Sequence, residues 1–375
     1  MKGKNFNRPD KKPRVLVAPL DWGLGHATRC IPIILSLLEH GCEVIVATEG
    51  APKQLLQQEF PDLVFAELKG YRVRYSRKKF WLPAKLLMQF PKILLQIYAE
   101  NRWLKKMAAQ YKIDAVISDN RFGMYHAVIP SVYITHQLMI KTGNPFSEKI
   151  AQKLHYHFIK KFTECWVPDW AGEINLAGNL SHPSVLPTTP VKYTGPLSRL
   201  EKTTEDIKYD CCILISGPEP QRSLFEEIIF RDLENYNGKA IVIRGLPQDS
   251  LDIKVKIHLV EIKNHLPAAE LSKVLQQSNF IICRSGYSTI MDLVMLQRNA
   301  TLVPTPGQTE QEYLAAYLQG KQLFYSVKQD SFSLPEIVQK MKEYPFKEIA
   351  FPKNNFNKVI EDFVAGLKNI SNTST

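Results

Sequence analysis

Several short stretches set polar side chains, most of them beside glycines, at spacings that could do chemistry. The first is Asp21-Trp22-Gly23-Leu24-Gly25-His26-Ala27-Thr28-Arg29. Gly23 and Gly25 let the backbone turn tightly and approach a ligand, and the helix that follows turns its free N–H groups toward an anion. A dinucleotide fingerprint would need a third glycine where Thr28 stands. His26 is a candidate general base, or a group that orients an acceptor hydroxyl. The alternative is a histidine hydrogen-bonded locally in the turn. Ser118-Asp119-Asn120 and Thr135-His136-Gln137 follow two other strand-like runs. Polar residues at the ends of two strands of one sheet converge on one rim, so Asp119 could orient His26 or act as the base. Its alternative is a turn or helix-capping aspartate.

The third stretch is Arg284-Ser285-Gly286-Tyr287-Ser288-Thr289-Ile290-Met291-Asp292, in which an apolar strand passes through a small turn into a helix. Ser288, Thr289 and the backbone N–H groups are a ready cradle for a diphosphate. Asp292, one helical turn beyond Ser288, could accept from the two hydroxyls of a ribose. The Thr289/Asp292 spacing also fits a capping box, and both readings can hold at once. The fourth stretch, Pro304-Thr305-Pro306-Gly307-Gln308-Thr309-Glu310-Gln311-Glu312-Tyr313, is a rigid loop whose Gln308, Glu310 and Gln311 could reach sugar hydroxyls. Its alternative is a plain connection with an acidic first helical turn. Ser216-Gly217-Pro218-Glu219-Pro220 repeats the strand-turn-helix pattern, but its prolines remove N–H donors.

The elements that must position these stretches read as an α/β chain with two Rossmann-like domains facing across a cleft. Arg14–Pro19, Glu43–Thr48, Leu63–Glu67, Asp114–Ser118 and Val132–Thr135 are predicted strands; Thr28–Glu39 and Ala84–Gln110 are predicted helices, the latter interrupted at Pro91. Prolines and glycines crowd residues 178–200, and the linker is placed near Gly195–Glu205. The rhythm then restarts with strands at Cys211–Ser216, Ala240–Arg244, His258–Glu261, Asn279–Cys283 and Thr301–Val303. Helices are predicted at Gln221–Asn235, Pro267–Gln277, Ser288–Leu296 and Thr309–Gln319. The division reads as 1–198 for the first domain, 199–352 for the second, and 353–375 for a helix packing back toward the first.

At 375 residues, 45% hydrophobic and 23% charged, the chain is globular. No apolar run is long enough to span a membrane, and the basic start lacks the core of a signal peptide. Six cysteines without C-x-x-C spacing read as buried thiols in a reducing compartment. The net charge of +11 is concentrated. Lys69–Lys106 carries eleven basic residues against Glu100, and Met1–Arg14 six against Asp10, leaving a mildly acidic body. Aromatic and aliphatic residues interleave the Lys69–Lys106 charges, as in an interfacial membrane patch; a core-packed helix with a solvated basic face is the alternative. No nucleic-acid motif accompanies the charge.

Taken together and in order, GLGH, SGPEP, RSGYSTIMD and PTPGQTEQEY resemble the GT-B glycosyltransferases, specifically glycosyltransferase family 28, over nearly the whole chain. That family includes the peptidoglycan transferase that adds GlcNAc to lipid I and the plant galactolipid synthases. The resemblance implies a glycine-rich loop ending in His at Gly23, Gly25 and His26. It implies a ribose-binding acid at Asp292, a diphosphate contact at Thr289, a sugar contact at Gln311, and a backbone reader of uracil near Leu266. Gly217, Arg284, Ser285, Gly286, Ser288 and Gln308 complete the expected donor site. Two positions depart from the pattern: Pro218 replaces a phosphate-binding serine, and Glu312 replaces the second glutamine of a pair. The implied activity is inverting hexosyl transfer from a nucleotide-diphosphate sugar, a UDP-sugar in this family, to a lipid-linked or glycan acceptor. No metal or other cofactor and no nucleic-acid partner are expected. The chain is placed in the cytoplasm, with residues 69–106 meeting the inner face of the cell membrane. The rival readings are a nucleotide-sugar hydrolase or epimerase on the same fold, and a non-catalytic membrane- or nucleic-acid-binding protein.

Overall fold

The computed structural model describes residues 12–71, 82–247, 257–348 and 350–373, with the backbone course alone for 82–90 and 370–373. The basic start up to residue 11 and residues 72–81 of the basic segment lie outside the described residues. The chain builds two parallel sheets. The first contains β1 (Arg14–Pro19), β2 (Glu43–Thr48), β3 (Val64–Glu67), β4 (Ala115–Asp119), β5 (Ser131–Ile134), β6 (Glu164–Val167) and β7 (Val191–Tyr193), in the order β3-β2-β1-β4-β5-β6-β7. The second contains β8 (Tyr209–Leu214), β9 (Ala240–Ile243), β10 (Val260–Lys263), β11 (Ser278–Cys283), β12 (Thr301–Leu302) and β13 (Tyr325–Ser326), in the order β10-β9-β8-β11-β12-β13. Val15, Leu16 and Val17 of β1, and Cys211, Cys212 and Ile213 of β8, are fully buried, as central strands covered on both faces require.

Order reverses beside β1 in the first sheet and beside β8 in the second. These are the switch points where open parallel sheets leave a crevice at their carboxyl ends. The helices α1 (Leu24–Glu39), α2 (Gly50–Glu59), α3 (Leu82–Tyr111), α4 (Pro145–Ile159), α5 (Gln221–Leu233), α6 (Ala268–Gln276), α7 (Tyr287–Met295), α8 (Thr309–Gly320), α9 (Leu334–Glu343) and α10 (Phe356–Thr373) cover the sheets. In α1, Ala27, Cys30, Ile31, Ile34 and Leu37 recur at helical spacing and are buried.

Several boundaries differ from expectation. α1 starts at Leu24, so Gly25 and His26 stand in its first turn and not in a loop before it. Gly23, at φ 85°, makes the turn that allows this. α3 runs through Pro91 without ending: one missing N–H costs a single ladder bond in a helix of 30 residues. β10 begins two residues later than the predicted His258. α2, α4, α9, β6, β7 and β13 were not anticipated, because the strands are short and the helices are amphipathic in chain that reads as polar.

α10 crosses from the second domain back onto the first. Its Val359, Ile360, Phe363, Val364 and Leu367 are buried, and Phe363 meets Trp166 of β6 edge-on at 5.3 Å. Asn354, just before it, donates to the Pro196 carbonyl at 2.9 Å.

Candidate active site

The carboxyl ends of the two sheets meet. On the first-domain side, β4 ends in Asp119 and α1 brings His26 and Arg29 beside it, three residues apart on one helical face. Arg29 grips Asp119 with two nitrogens: Nε donates to Oδ2 at 2.7 Å, and Nη2 donates to Oδ1. His26 Nδ1 lies 3.1 Å from Asp119 Oδ2 and 2.9 Å from Arg29 Nη2. Arg29 Nη1 reaches His136, at the end of β5, with 3.3 Å to its Nδ1. Arg29 and Asp119 are buried, while the His26 side chain keeps 17% of its surface exposed.

The electrostatics follow from this packing. Burial favours the protonated form of Asp119, but Arg29 and His26 together outweigh it and bring the carboxyl down to about 2. A carboxylate so stabilised is a weak base. Burial, Arg29 and His136 lower the His26 pKa against the pull of Asp119, which leaves the imidazole neutral near pH 7.

The second domain closes on this cluster. Glu310, in the first turn of α8, accepts from His136 Nε2 at 2.7 Å and from Gln137 Nε2 at 2.5 Å. Tyr287, at the start of α7, stacks on the His136 ring at 4.1 Å and donates its hydroxyl to the Pro168 carbonyl at 2.8 Å. Ser288 donates to the Gly25 carbonyl at 3.0 Å, and Thr309 to the Lys141 carbonyl at 2.6 Å. The GLGH loop is braced from its other side. Tyr71 donates its amide to Asp21 at 3.3 Å and its hydroxyl to buried Glu100 at 2.7 Å, and Arg121 also pairs with Glu100.

The donor-side residues separate into two groups. Gly286, Ser288, Thr289, Asp292 and Gln308 are half-buried along the starts of α7 and α8. A Cβ built on Gly286 meets nothing within 4 Å, so the space above that turn is open. Asp292 accepts from Ser198 of the linker at 2.6 Å; burial raises its carboxyl to about 6, with Ser198 and Arg199 opposing. Gly217 takes φ 114°, a conformation suited to glycine, and its nearest neighbour is Thr305 Oγ1 at 3.8 Å from a Cβ position.

The side chains of Arg284, Ser285, Gln311 and Leu266 are buried, and those of the first three bond within the second domain. Arg284 is buried over the Phe225 ring and donates to the Val303 and Gln221 carbonyls and to Gln329. Ser285 donates to the Gln311 carbonyl at 2.9 Å, and Gln311 Oε1 accepts from the Thr305 amide at 2.9 Å. Their polar atoms tie the two donor loops to each other. Leu266 packs into the main apolar core. Arg29 and Glu310 join the site in roles the sequence does not announce; the one local signal is that Arg29 stands three residues after His26. Among the described residues no group of His, Cys, Asp and Glu is arranged to hold a metal ion.

Comparison with known proteins agrees with this fold. Residues 250–368 match the glycosyltransferase family 28 C-terminal domain. The uncharacterized glycosyltransferase of Methanosarcina acetivorans is 24% identical over 333 residues, covering 81% of this chain and 84% of that one. MurG of Acinetobacter baumannii superposes with a TM-score of 0.51 at 13% identity, over 96% of this chain and 94% of its own. A Streptomyces glycosyltransferase complexed with thymidine diphosphate superposes with a TM-score of 0.54 at 13% identity, over 95% and 96%. The chain is a glycosyltransferase of the GT-B type, built from the two facing parallel α/β domains expected. Its second half carries the family 28 C-terminal domain.

Proposed function

We propose that the protein transfers a hexosyl group from a UDP-sugar to the hydroxyl of a lipid-linked or glycan acceptor, with inversion and without a metal. The observation that carries this reading is the contact of His26 with Asp119 directly across from the open turn of α7. His26 Nε2 takes the proton of the acceptor hydroxyl as its oxygen bonds to the anomeric carbon. The bond from that carbon to the diphosphate oxygen breaks, and the departing charge is met by the α7 N-terminus with Ser288 and Thr289. Asp292 holds the ribose, and Gln308 the sugar. Asp119 keeps the His26 ring in place and is not itself the base, because Arg29 already occupies both its oxygens. The thymidine diphosphate bound by the Streptomyces relative supports a nucleoside diphosphate as part of the donor.

A membrane-facing acceptor is supported by the first-domain surface. Among the described residues, α3 exposes Leu95 and Tyr98 with Lys92, Arg102, Lys105 and Lys106, and α4 exposes Phe146, Ile150 and Leu154 with Lys149 and Lys153. Apolar residues among lysines suit the interface of an anionic bilayer. No described helix is long and apolar enough to cross a membrane. In this reading the protein works peripherally, at the cytoplasmic face of the cell membrane.

The test is a thermal-shift screen of nucleoside diphosphates and their sugars, followed by transfer assays with polyprenyl and diacylglycerol lipids. Stabilisation by UDP and its sugars, with sugar appearing on lipid, is the expected result. Indifference to every nucleoside diphosphate would remove the donor assignment. Free sugar released at the same rate without any acceptor would make the protein a hydrolase.

A further inference from the structure

Arg284 follows β11 with a side chain that runs into the second domain. It is 1% exposed, and its guanidinium lies 4.1 Å from the centre of the Phe225 ring. Nη1 donates to the Val303 and Pro304 carbonyls at 3.2 and 3.4 Å. Nη2 donates to the Gln221 carbonyl at 3.0 Å and to Gln329 Oε1 at 2.7 Å. Nε is buried and meets no acceptor. Every partner is a neutral oxygen. Arg29, Arg121, Arg222 and Arg244 are buried as well, and each is matched by a carboxylate: Asp119, Glu100 and, for the last two, Glu226. Among the described residues no carboxylate pairs with Arg284. A buried cation without a counter-charge is destabilising, and neutral oxygens offset only part of the lost hydration. Burial lowers the Arg284 pKa to about 9, so the guanidinium is still charged at neutral pH.

Its place in the sheet gives that charge a use. β11 lies between β8 and β12. Gln221 opens α5 after the loop that leaves β8, and Val303 and Pro304 begin the loop that leaves β12. The guanidinium therefore joins the loops on both sides of the Ser285–Gly286 turn, at the carboxyl edge of the sheet. Two residues on from Arg284, the space above Gly286 is open. A diphosphate seated on that turn brings its negative charge to the same edge, where the surrounding protein screens far less than water does. The α7 N-terminus offers a partial positive charge, and Arg284 adds a whole one behind it.

We propose that Arg284 is a positioning residue of the donor site that touches no ligand: its buried, unbalanced charge is the counter-charge for a diphosphate on the α7 turn. This rests on the reading of that turn as the diphosphate seat. The test uses the full chain and three probes of increasing charge, uridine, UMP and UDP, with calorimetry for the nucleotides and ligand-observed NMR for uridine. Gln329→Glu is the decisive variant. It keeps the side-chain shape and the bond to Nη2, and it sets a carboxylate against the guanidinium. UDP affinity should fall about tenfold, a modest Coulomb effect at the effective dielectric of a protein, with UMP affected less and uridine not at all. Arg284→Met, which fills the space against Phe225 without charge, should give the same graded order; if it does not fold, Gln329→Glu still decides. Wild-type UDP affinity in Gln329→Glu, or equal losses for all three probes, overturns the proposal, since equal losses would mean that Arg284 only holds the loops in shape. A wild type that binds uridine and UDP equally would remove the diphosphate seat itself, and this proposal with it.

Discussion

The Ser288 hydroxyl of the second domain donates to the Gly25 carbonyl of the first at 3.0 Å, and a Cβ on Gly25 would stand 2.7 Å from that same oxygen. The glycine is thus required by domain approach as well as by loop geometry. Gly25→Ala should push Ser288 off its carbonyl and weaken UDP binding about fivefold, the worth of roughly one hydrogen bond. Adding Ser288→Ala should not restore the affinity, because the same hydroxyl belongs to the diphosphate cradle proposed for the α7 turn. Calorimetry with UDP reads both, and an unchanged Kd in Gly25→Ala would sink the idea.

His26→Ala should lower turnover by about 10²–10⁴, the span of general-base catalysis. The thermal midpoint should hardly move, because Asp119 keeps both its bonds to Arg29. Near-normal turnover on the identified donor and acceptor would exclude His26 from the chemistry.

Asp119→Asn should behave differently, since it strands a buried guanidinium. Breaking a buried pair from one side costs about 3–5 kcal/mol, so denaturant unfolding should show a loss of that size. The pair also predicts a pH dependence. The Asp119 carboxyl lies below its ordinary value, so its stabilisation is complete above pH about 4 and disappears as pH falls toward about 2. An Asp119→Asn midpoint equal to wild type would contradict the buried pairing.

Acid should weaken the fold earlier through His155. Burial lowers its imidazole from 6.5 to about 4. The folded state disfavours the charged ring, so stability is full above pH 6.5 and declines as pH falls toward 4. The loss is roughly 3 kcal/mol. His155→Gln should flatten this window in urea unfolding at a series of pH values; an undiminished slope would place the effect elsewhere.

Asp292 predicts a pH dependence of ligand binding. Its carboxyl, raised by burial to about 6, must be ionised to accept from two ribose hydroxyls. UDP affinity should therefore fall as pH drops through 6, and Asp292→Asn should bind weakly at every pH. Equal UDP affinity above and below pH 6 would separate Asp292 from the ribose.

Much of this architecture was readable because parallel strands buried on both faces are continuous apolar runs: RVLVAP, EVIVAT and FIIC declare themselves. Glycine-containing turns after such runs marked the loops that meet at the cleft. What could not be read was direction. Arg284 stands in the most suggestive motif, yet it packs on Phe225, because a long side chain at a strand end can turn either way. Glu310 looked like a sugar contact and spans the cleft to His136, 174 positions away. Separations of that size leave no local periodicity. Short strands such as β13 escaped for the opposite reason, since two residues carry no pattern at all.

The return of α10 to the first domain has a practical corollary for protein engineering. A hybrid joining this donor half to another acceptor half cannot be made by one cut in the linker. Such a splice would set Phe363, Val364 and Leu367 against a foreign surface and leave Phe363 without its Trp166 neighbour. Two junctions are needed, one near Ser198 and one near Asn354, so that the terminal helix travels with the half it covers.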